Sequence, residues 1–160
     1  MGTLHLLCGK IASGKSTLAG TLVARHGAVL VEEDALLATL YPGEVRTLED
    51  YRDRSVRLQS AIGPLIVDLL RTGANVVLDF QANTRRRRDW LRSLADGAQV
   101  AHELHFLDLP EEILRERLRT RNASGKHPYR VDEATFERFS ALFEPPAESE
   151  LRKAVCHAVS

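Results

Sequence analysis

Short apolar runs alternate along the chain with longer stretches whose apolar residues recur every three or four positions. Short apolar runs bounded by Gly or polar residues are typical of strands in a buried parallel sheet. Runs of this kind predict strands at 4–8, 28–31, 75–80 and 100–107, with a short fifth strand at 154–159. The wider spacing predicts helices at 16–26, 35–40, 44–71, 84–97, 110–121 and 132–143. The alternation of strands and helices predicts an α/β fold, with a mostly parallel sheet of four to five strands flanked by helices.

Length, charge and cysteine content narrow the class of protein. The 160 residues are the size of one ordinary domain, and we expect a single domain over 1–160. Basic and acidic residues balance at 22 each, which argues against nucleic-acid binding by bulk charge. Two cysteines are too few for a disulfide scaffold. No apolar stretch is long enough for a membrane span, and the N-terminus lacks the basic residues of a signal peptide, so we expect a cytoplasmic protein.

The strongest motif lies directly after the first predicted strand. Residues 9–16 are GKIASGKS, which fits G-x-x-x-x-G-K-[ST] at every fixed position. A loop between a strand and a helix with this pattern turns its backbone N–H groups toward phosphates. Lys15 is expected to contact the β- and γ-phosphates of ATP, and Ser16 to ligate Mg²⁺. The predicted ATP-binding residues are Gly9, Ala12, Ser13, Gly14, Lys15, Ser16 and Thr17.

Within the P-loop NTPase fold, the chain has features of a small kinase. It lacks the base-reading N-K-x-D motif of GTPases, and it is too short for a large motor ATPase. A polar segment at about 122–131, between two late helices, predicts a short lid that closes over the nucleotide and excludes water. Arg130, in this lid, is a candidate contact to phosphate.

The order of these motifs resembles a known family. Besides the loop at 9–16, the chain has the acidic pair Glu33-Asp34, the segment Val77-Leu78-Asp79, and LRERLRTRN at 114–122. These features are similar to the small P-loop kinases and AAA-like ATPases of the zeta-toxin, chloramphenicol-phosphotransferase and polynucleotide-kinase type, and the resemblance extends to about Phe143.

The resemblance implies roles for three residues. It implies that Asp34 is the general base and that Arg117 and Arg121 neutralise the phosphoryl group during transfer. Polynucleotide kinases of this type have an Arg three residues after the base, where this chain has Leu37. A nucleic-acid acceptor is therefore possible but not favoured.

The acidic residues also have a simpler interpretation. Glu33 and Asp34 follow the second strand, at the sheet edge where α/β proteins bind ligands, but either residue could instead stabilise the first turn of a helix. Asp79 ends the third strand, where a carboxylate can hold Mg²⁺, contact the acceptor, or be satisfied by the backbone. We expect the first two strands to be neighbours, which would place Asp34 one strand from the loop.

Arginines supply the remaining candidates for the site. Helical angles place Arg117 and Arg121 near the buried side of their helix and Arg115 away from it. The alternative is an ordinary solvated helix with glutamate partners. The run 85–88 lies in the first turn of a helix, where positive charge is unfavourable, so Arg87 could hold an anionic acceptor. The alternative is a solvated run partnered by Asp89.

These observations predict an ATP- and Mg²⁺-dependent phosphotransferase. The acceptor would be a hydroxyl of a small molecule, a nucleotide-sugar or a polynucleotide end. One alternative is an ATP-hydrolysing switch or interaction module without a small-molecule acceptor; another is a nucleic-acid end-processing protein. No membrane partner is expected, and neither the acceptor nor the oligomeric state can be derived from the pattern. His102 and His105 lie three apart on a predicted strand, so they face opposite sides and cannot chelate one ion together.

Overall fold

The computed structural model describes residues 2–126 and 130–157. Five strands are found in these residues: β1 (Thr3–Cys8), β2 (Val29–Glu32), β3 (Val76–Asp79), β4 (Ala101–Leu107) and β5 (Val155–His157). The helices are α1 (Lys15–His26), α2 (Glu33–Leu40), α3 (Leu48–Arg71), α4 (Arg85–Ala98), α5 (Glu111–Ser124), α6 (Glu133–Ala141) and α7 (Glu148–Leu151). The predicted fifth strand is confirmed at Val155–His157, and its last positions, 158 and 159, lie outside the described residues.

All five strands pair in parallel, in the order β2-β3-β1-β4-β5. This confirms the predicted α/β fold with a parallel sheet flanked by helices. The expectation that β2 lies beside β1 is wrong, because β3 lies between them, with Val76 paired to both Leu4 and Val29. In this order the interior strand β3 has Val76, Val77 and Leu78 fully buried, whereas β2 is partly exposed at the sheet edge. Asp79 therefore ends the strand next to β1.

Two apolar layers cover the sheet. On one face the core includes Leu4 and Leu6 of β1, packed with Leu58 and Ile66 of α3 and Leu91 of α4. On the other face the alternate strand positions pack against α1, with Leu7 and Val77 buried by Ala19 and Leu22. Because side chains alternate along a strand, the phosphate-loop strand is held from both sides.

Local capping sets the ends of the helices. The third helix begins at Leu48 rather than near Glu44, because Thr47 and Asp50 form a capping box that fixes its first turn. It continues through Pro64 to Arg71. Of the two residues that the sequence offers as the cap of the fourth helix, Thr84 and Asn83, the structure shows Thr84, whose side chain accepts from the Arg87 amide at 3.2 Å. No helix among the described residues is long and apolar enough to span a membrane.

The tail after Pro146 is joined to the core by Arg88. This side chain is 1% exposed and donates to the carbonyls of Ala82 and Glu144 at 2.9 and 2.8 Å. Its Nε donates to Glu150 of α7 at 2.8 Å. The interpretation of 85–88 as a solvated run partnered by Asp89 is therefore wrong for Arg88. A buried guanidinium needs hydrogen-bond acceptors and an opposite charge. Glu150 of the tail supplies the carboxylate.

Candidate nucleotide and acceptor site

The loop between β1 and α1 has the geometry of a phosphate cradle. Gly14 has φ 96° and Ala12 has φ 65°, both in the left-handed region. These angles let the loop turn its amides inward around an anion. A Cβ at position 9 would lie 2.4 Å from Ser13 Oγ, so only glycine fits there. The motif predicted from the sequence thus adopts the required backbone.

Lys15 lies across the mouth of this loop. Its Nζ donates to the carbonyl oxygen of Gly9 at 2.7 Å and to that of Lys10 at 3.3 Å. Burial lowers the pKa of the ammonium, and the carboxylates of Asp79 and Asp34 oppose that shift. A cation held by backbone carbonyls, with two acidic side chains nearby, is positioned to meet polyanionic phosphate.

Ser16 and Asp79 meet on the other side of Lys15. Ser16 Oγ donates to Asp79 Oδ2 at 2.7 Å, which joins the first turn of α1 to the end of β3. A hydroxyl and a carboxylate are hard oxygen ligands of the kind that Mg²⁺ prefers. The two side chains predicted to hold Mg²⁺ therefore lie together, and their donor atoms fit that ion.

Asp34 lies in the first turn of α2, where β2 ends. Burial raises the pKa of its carboxyl to about 6, and the Glu33 carboxylate adds to the shift. Lys15 opposes the shift, as does Arg121. Asp34 and Lys15 line the same cavity, although the strand before Asp34 is not the neighbour of β1. A carboxyl whose pKa is raised toward neutrality is suited to accept a proton.

Glu33 supports the turn that carries Asp34. It is 1% exposed and accepts hydrogen bonds from Tyr51 Oη at 2.5 Å and Ser55 Oγ at 2.6 Å. Arg87 Nη2 donates to it at 2.6 Å, and Arg87 Nη1 donates to Tyr51 and Ser55 as well. This network joins α2, α3 and α4 behind the site.

Arg87 is not at the position expected of an acceptor ligand. Its guanidinium is held by Glu33, Tyr51 and Ser55, and it does not line the cavity described below. The positive charge of Arg87, which is unfavourable in the first turn of α4, is instead compensated by the buried carboxylate of Glu33. This geometry makes Arg87 a positioning residue for the segment that carries Asp34.

The two candidate arginines of α5 differ in position. Arg121 lines the cavity, and its buried Nε has no hydrogen-bond partner among the described residues. Burial lowers its pKa, and Asp34 opposes that shift. Arg117 is exposed and does not line the cavity, although its Nη1 donates to the Ser13 carbonyl at 3.4 Å. Arg115, expected to point away, packs over the Phe136 ring and pairs with Glu133.

The predicted lid is described only in part. Residues 127–129 lie outside the described residues, and α5 extends to Ser124, so the first part of the predicted segment is helical. Asn122 closes the base of the segment, because its side chain donates to the Val131 carbonyl and accepts from the Val131 amide. Arg130 is exposed and lines the cavity.

A cavity of about 550 Å³ joins these groups. One side is the phosphate loop, with Asp34, Asp79 and Arg121; the other is formed by the start of α3 and by α6. Several lining residues were not predicted from the sequence, among them Arg46, Gln81, Thr135 and Arg138. Their positions depend on how α3 and α6 pack, and no local motif marks them. Arg52, Arg54 and Arg57 of α3 do not line the cavity.

The fold and the loop together define a P-loop NTPase. The AAA domain family model matches residues 4–146, and the chain belongs to that family. No curated protein sequence matches it.

Similar solved structures cover almost the whole chain at low identity. A sugar kinase from Janibacter sp. HTCC2649 is 19% identical with a TM-score of 0.67, covering 99% of this chain and 86% of its own. Chaetomium thermophilum Kti12, solved in complex with ADP-AlF3, is 18% identical with a TM-score of 0.73, and the match covers 97% of this chain and 88% of Kti12. A gluconokinase from Sinorhizobium meliloti 1021 is 21% identical with a TM-score of 0.63, and the match covers 99% of this chain and 82% of the gluconokinase. At these identities the similarity establishes the fold.

Proposed function

We propose that the protein is an ATP- and Mg²⁺-dependent phosphotransferase that transfers the γ-phosphoryl group to a hydroxyl of a second substrate. The observation that carries the proposal is the cavity beside the phosphate loop, which has Asp34 in its wall. Its volume of about 550 Å³ falls within the range of small-molecule sites, roughly 300–1,000 Å³. The cavity thus offers space for an acceptor next to the phosphates.

The phosphate loop and Lys15 would hold the nucleotide. The loop amides and the Lys15 ammonium would contact the β- and γ-phosphates, and Ser16 and Asp79 would hold Mg²⁺. When bound, this ion neutralises charge on the phosphate oxygens. Arg121 enters the same cavity from α5, with its unpartnered Nε available to a phosphate oxygen. Together these groups orient the phosphoryl group and stabilise its charge.

Asp34 would handle the proton of the acceptor. The acceptor oxygen forms a bond to the γ-phosphorus while the bond between that phosphorus and the β–γ bridging oxygen breaks, which releases ADP. The hydroxyl proton passes to the Asp34 carboxylate, whose pKa of about 6 leaves it mostly ionised at neutral pH. Asp34 lines the same cavity as Lys15, Asp79 and Arg121, which would keep its carboxylate close to the transferred group.

The chemistry of the acceptor end favours a polar molecule with an anionic group. Arg46, Arg130 and Arg138 line the cavity, together with Thr47 and Thr135, and none of them belongs to the phosphate loop. Arginine forks suit carboxylate and phosphate oxygens, and threonine hydroxyls suit a polyol. A hydroxylated acid or a sugar phosphate fits this lining better than an apolar compound.

The test is an acceptor panel with γ-labelled ATP, scored for new phosphorylated products. Sugar acids, sugar phosphates, nucleosides, antibiotics and oligonucleotide ends are offered one at a time. We expect a product with one class of hydroxylated acceptor, lost in Lys15→Ala. Lys10→Ala is the matched control, because its ammonium lies over the Phe143 ring, 5.6 Å from the centroid. Hydrolysis of ATP that no acceptor stimulates would instead support an ATP-hydrolysing switch and contradict the proposal.

A further inference from the structure

A cluster of histidines lies on the α1 side of the sheet. His5 of β1 and His105 of β4 are 2% and 3% exposed. His5 Nδ1 lies 3.2 Å from His105 Nε2, and Glu103 Oε1 lies 3.1 Å from the same Nε2. His105 Nδ1 lies 3.2 Å from His157 Nε2 of β5. The pleat brings these residues together, since positions 103 and 105 share one face of β4.

This cluster is separate from the nucleotide site. His5, Glu103, His105 and His157 do not line the cavity that holds Asp34. The ring of His26, at the end of α1, stacks on His5 with centroids 4.7 Å apart. Nothing in the proposed phosphoryl transfer requires a histidine, so the cluster needs its own explanation.

The distances within the cluster match those between ligand atoms around one small metal ion. Zinc binds histidine nitrogen and carboxylate oxygen at roughly 2.0–2.2 Å in tetrahedral geometry. Tetrahedral ligands at that radius are about 3.3 Å from one another. His105 Nε2 lies 3.2 Å from His5 Nδ1 and 3.1 Å from Glu103 Oε1, and all three ligand atoms lie within 4.8 Å of one another. The Glu103 side chain is 42% exposed, so it can rotate to shorten the remaining distance, between Glu103 Oε1 and His5 Nδ1.

The hydrogen-bond partner of His105 also suits a metal ligand. With Nε2 of His105 on a metal, Nδ1–H donates to His157 Nε2. Metal-bound histidines commonly have such an outer partner, which fixes the tautomer.

We propose that His5, Glu103 and His105 form a site for a zinc-type divalent transition metal that ties β1 to β4. The exposed side of Glu103 leaves room for water as the fourth ligand. Two imidazoles and one carboxylate are borderline and hard donors, which suit Zn²⁺ and Co²⁺ and disfavour copper(I). The competing explanation is a metal-free relay of hydrogen bonds through His5, His105 and His157.

The test is Co²⁺ and Zn²⁺ titration of the metal-free full chain in excess Mg²⁺, which keeps the Ser16–Asp79 site occupied. We expect one equivalent of Co²⁺ to give the intense visible bands of a tetrahedral ion, and Zn²⁺ to displace it and to raise Tm. Glu103→Gln keeps the exposed side chain's size and is expected to weaken binding by more than ~10²-fold. His105→Ala should abolish the signal.

Two controls make the result decisive. His102→Ala removes an exposed histidine from the same strand, on the opposite face, and should leave the Co²⁺ spectrum and affinity unchanged. Cys156→Ser removes the exposed thiol next to His157 and should also leave them unchanged. If the wild-type chain binds no Co²⁺ in Mg²⁺, or if Glu103→Gln binds it as tightly as wild type does, the cluster is a hydrogen-bonded relay and the proposal is wrong.

Discussion

Ser16 Oγ and Asp79 Oδ2 lie 2.7 Å apart, although 63 residues separate them in the chain. One residue begins the helix after the phosphate loop, and the other ends the strand beside the loop's own strand. Because β3 separates β1 from β2, Asp79 rather than Asp34 contacts Ser16. In the proposed mechanism, the sheet order therefore assigns Asp79 to metal binding and Asp34 to proton transfer.

The first prediction follows from that pair. Asp79→Asn replaces one anionic Mg²⁺ ligand with a neutral amide of the same shape, so apparent Mg²⁺ affinity in the presence of ATP should fall by at least ~10-fold. Binding of ATP measured without Mg²⁺ should change little. Calorimetric titration of Mg²⁺ into the ATP complex measures both. Equal Mg²⁺ affinity in wild type and variant would exclude Asp79 from the metal site.

The second prediction concerns Lys15. Lys15→Ala removes the cation that spans the mouth of the loop and should abolish productive binding of ATP and Mg²⁺. Lys10→Ala, in the same loop, should bind ATP as wild type does. Equilibrium binding of a fluorescent ATP analogue compares the two variants. Unchanged affinity in Lys15→Ala would contradict the phosphate-loop assignment.

The third prediction separates the arginines of α5. Arg121 lines the cavity and should act mainly on the transferring phosphoryl group, so Arg121→Ala should lower kcat by ~10³-fold or more with a smaller effect on the KM for ATP. Arg117→Ala should have a weaker effect, because its contact is with the Ser13 carbonyl. Steady-state kinetics with the acceptor found in the panel tests this order. Arg119→Ala, exposed on the same helix, serves as the control.

The fourth prediction concerns the network behind Asp34. Arg87→Ala leaves the buried Glu33 carboxylate without its cation, and breaking a buried pair in this way costs about 3–5 kcal/mol. Arg86→Ala, the exposed neighbour, should change the free energy of unfolding by less than about 0.5 kcal/mol. Urea denaturation of the two variants measures the difference. Similar stabilities would show that the ion pair does not hold the turn.

Much of the fold could be predicted because its signals are local. The phosphate loop, the caps at Thr84 and Asp132, and the apolar strands each depend on a few adjacent residues. The strand order could not be predicted, because nothing within β2 or β3 specifies which of them takes the interior position. That choice depends on the packing of α3 and α4 against the whole sheet.

The candidate site could be predicted in part, where its residues follow local signals. Lys15, Ser16, Asp34 and Asp79 follow strand ends or lie in the loop motif, which the pattern marks. Arg87 was expected at the acceptor because a cation in a first helical turn lacks local compensation. Its partner, Glu33, lies 54 positions away and becomes visible only when α2, α3 and α4 pack together.

The fifth prediction uses the raised pKa of Asp34, about 6. Protonation removes the proton acceptor, so kcat/KM for the acceptor should fall as pH decreases through about 6. The contribution of Asp34 to the free energy of unfolding should change in the opposite direction and become more favourable as pH decreases. Because the pKa of Asp34 in the folded protein lies above the ordinary value of 3.8 for an aspartate, the ionised carboxylate costs stability above about pH 6, and this cost disappears below about pH 4. Asp34→Asn should therefore be more stable than wild type at neutral pH and equally stable at low pH, by urea denaturation.

The most direct test of the central claim is the rate of phosphoryl transfer in Asp34→Asn, measured together with ATP affinity. The substitution keeps the shape of the side chain and removes its ability to accept a proton, so transfer to the acceptor should fall by ~10²–10⁴-fold. ATP affinity should remain that of wild type, because the loop and Lys15 are unchanged. Glu32→Gln, an exposed neighbour at the end of β2, should retain the full rate. Wild-type transfer in Asp34→Asn, or a loss of ATP binding as large as that of Lys15→Ala, would contradict the assignment of Asp34 as the base.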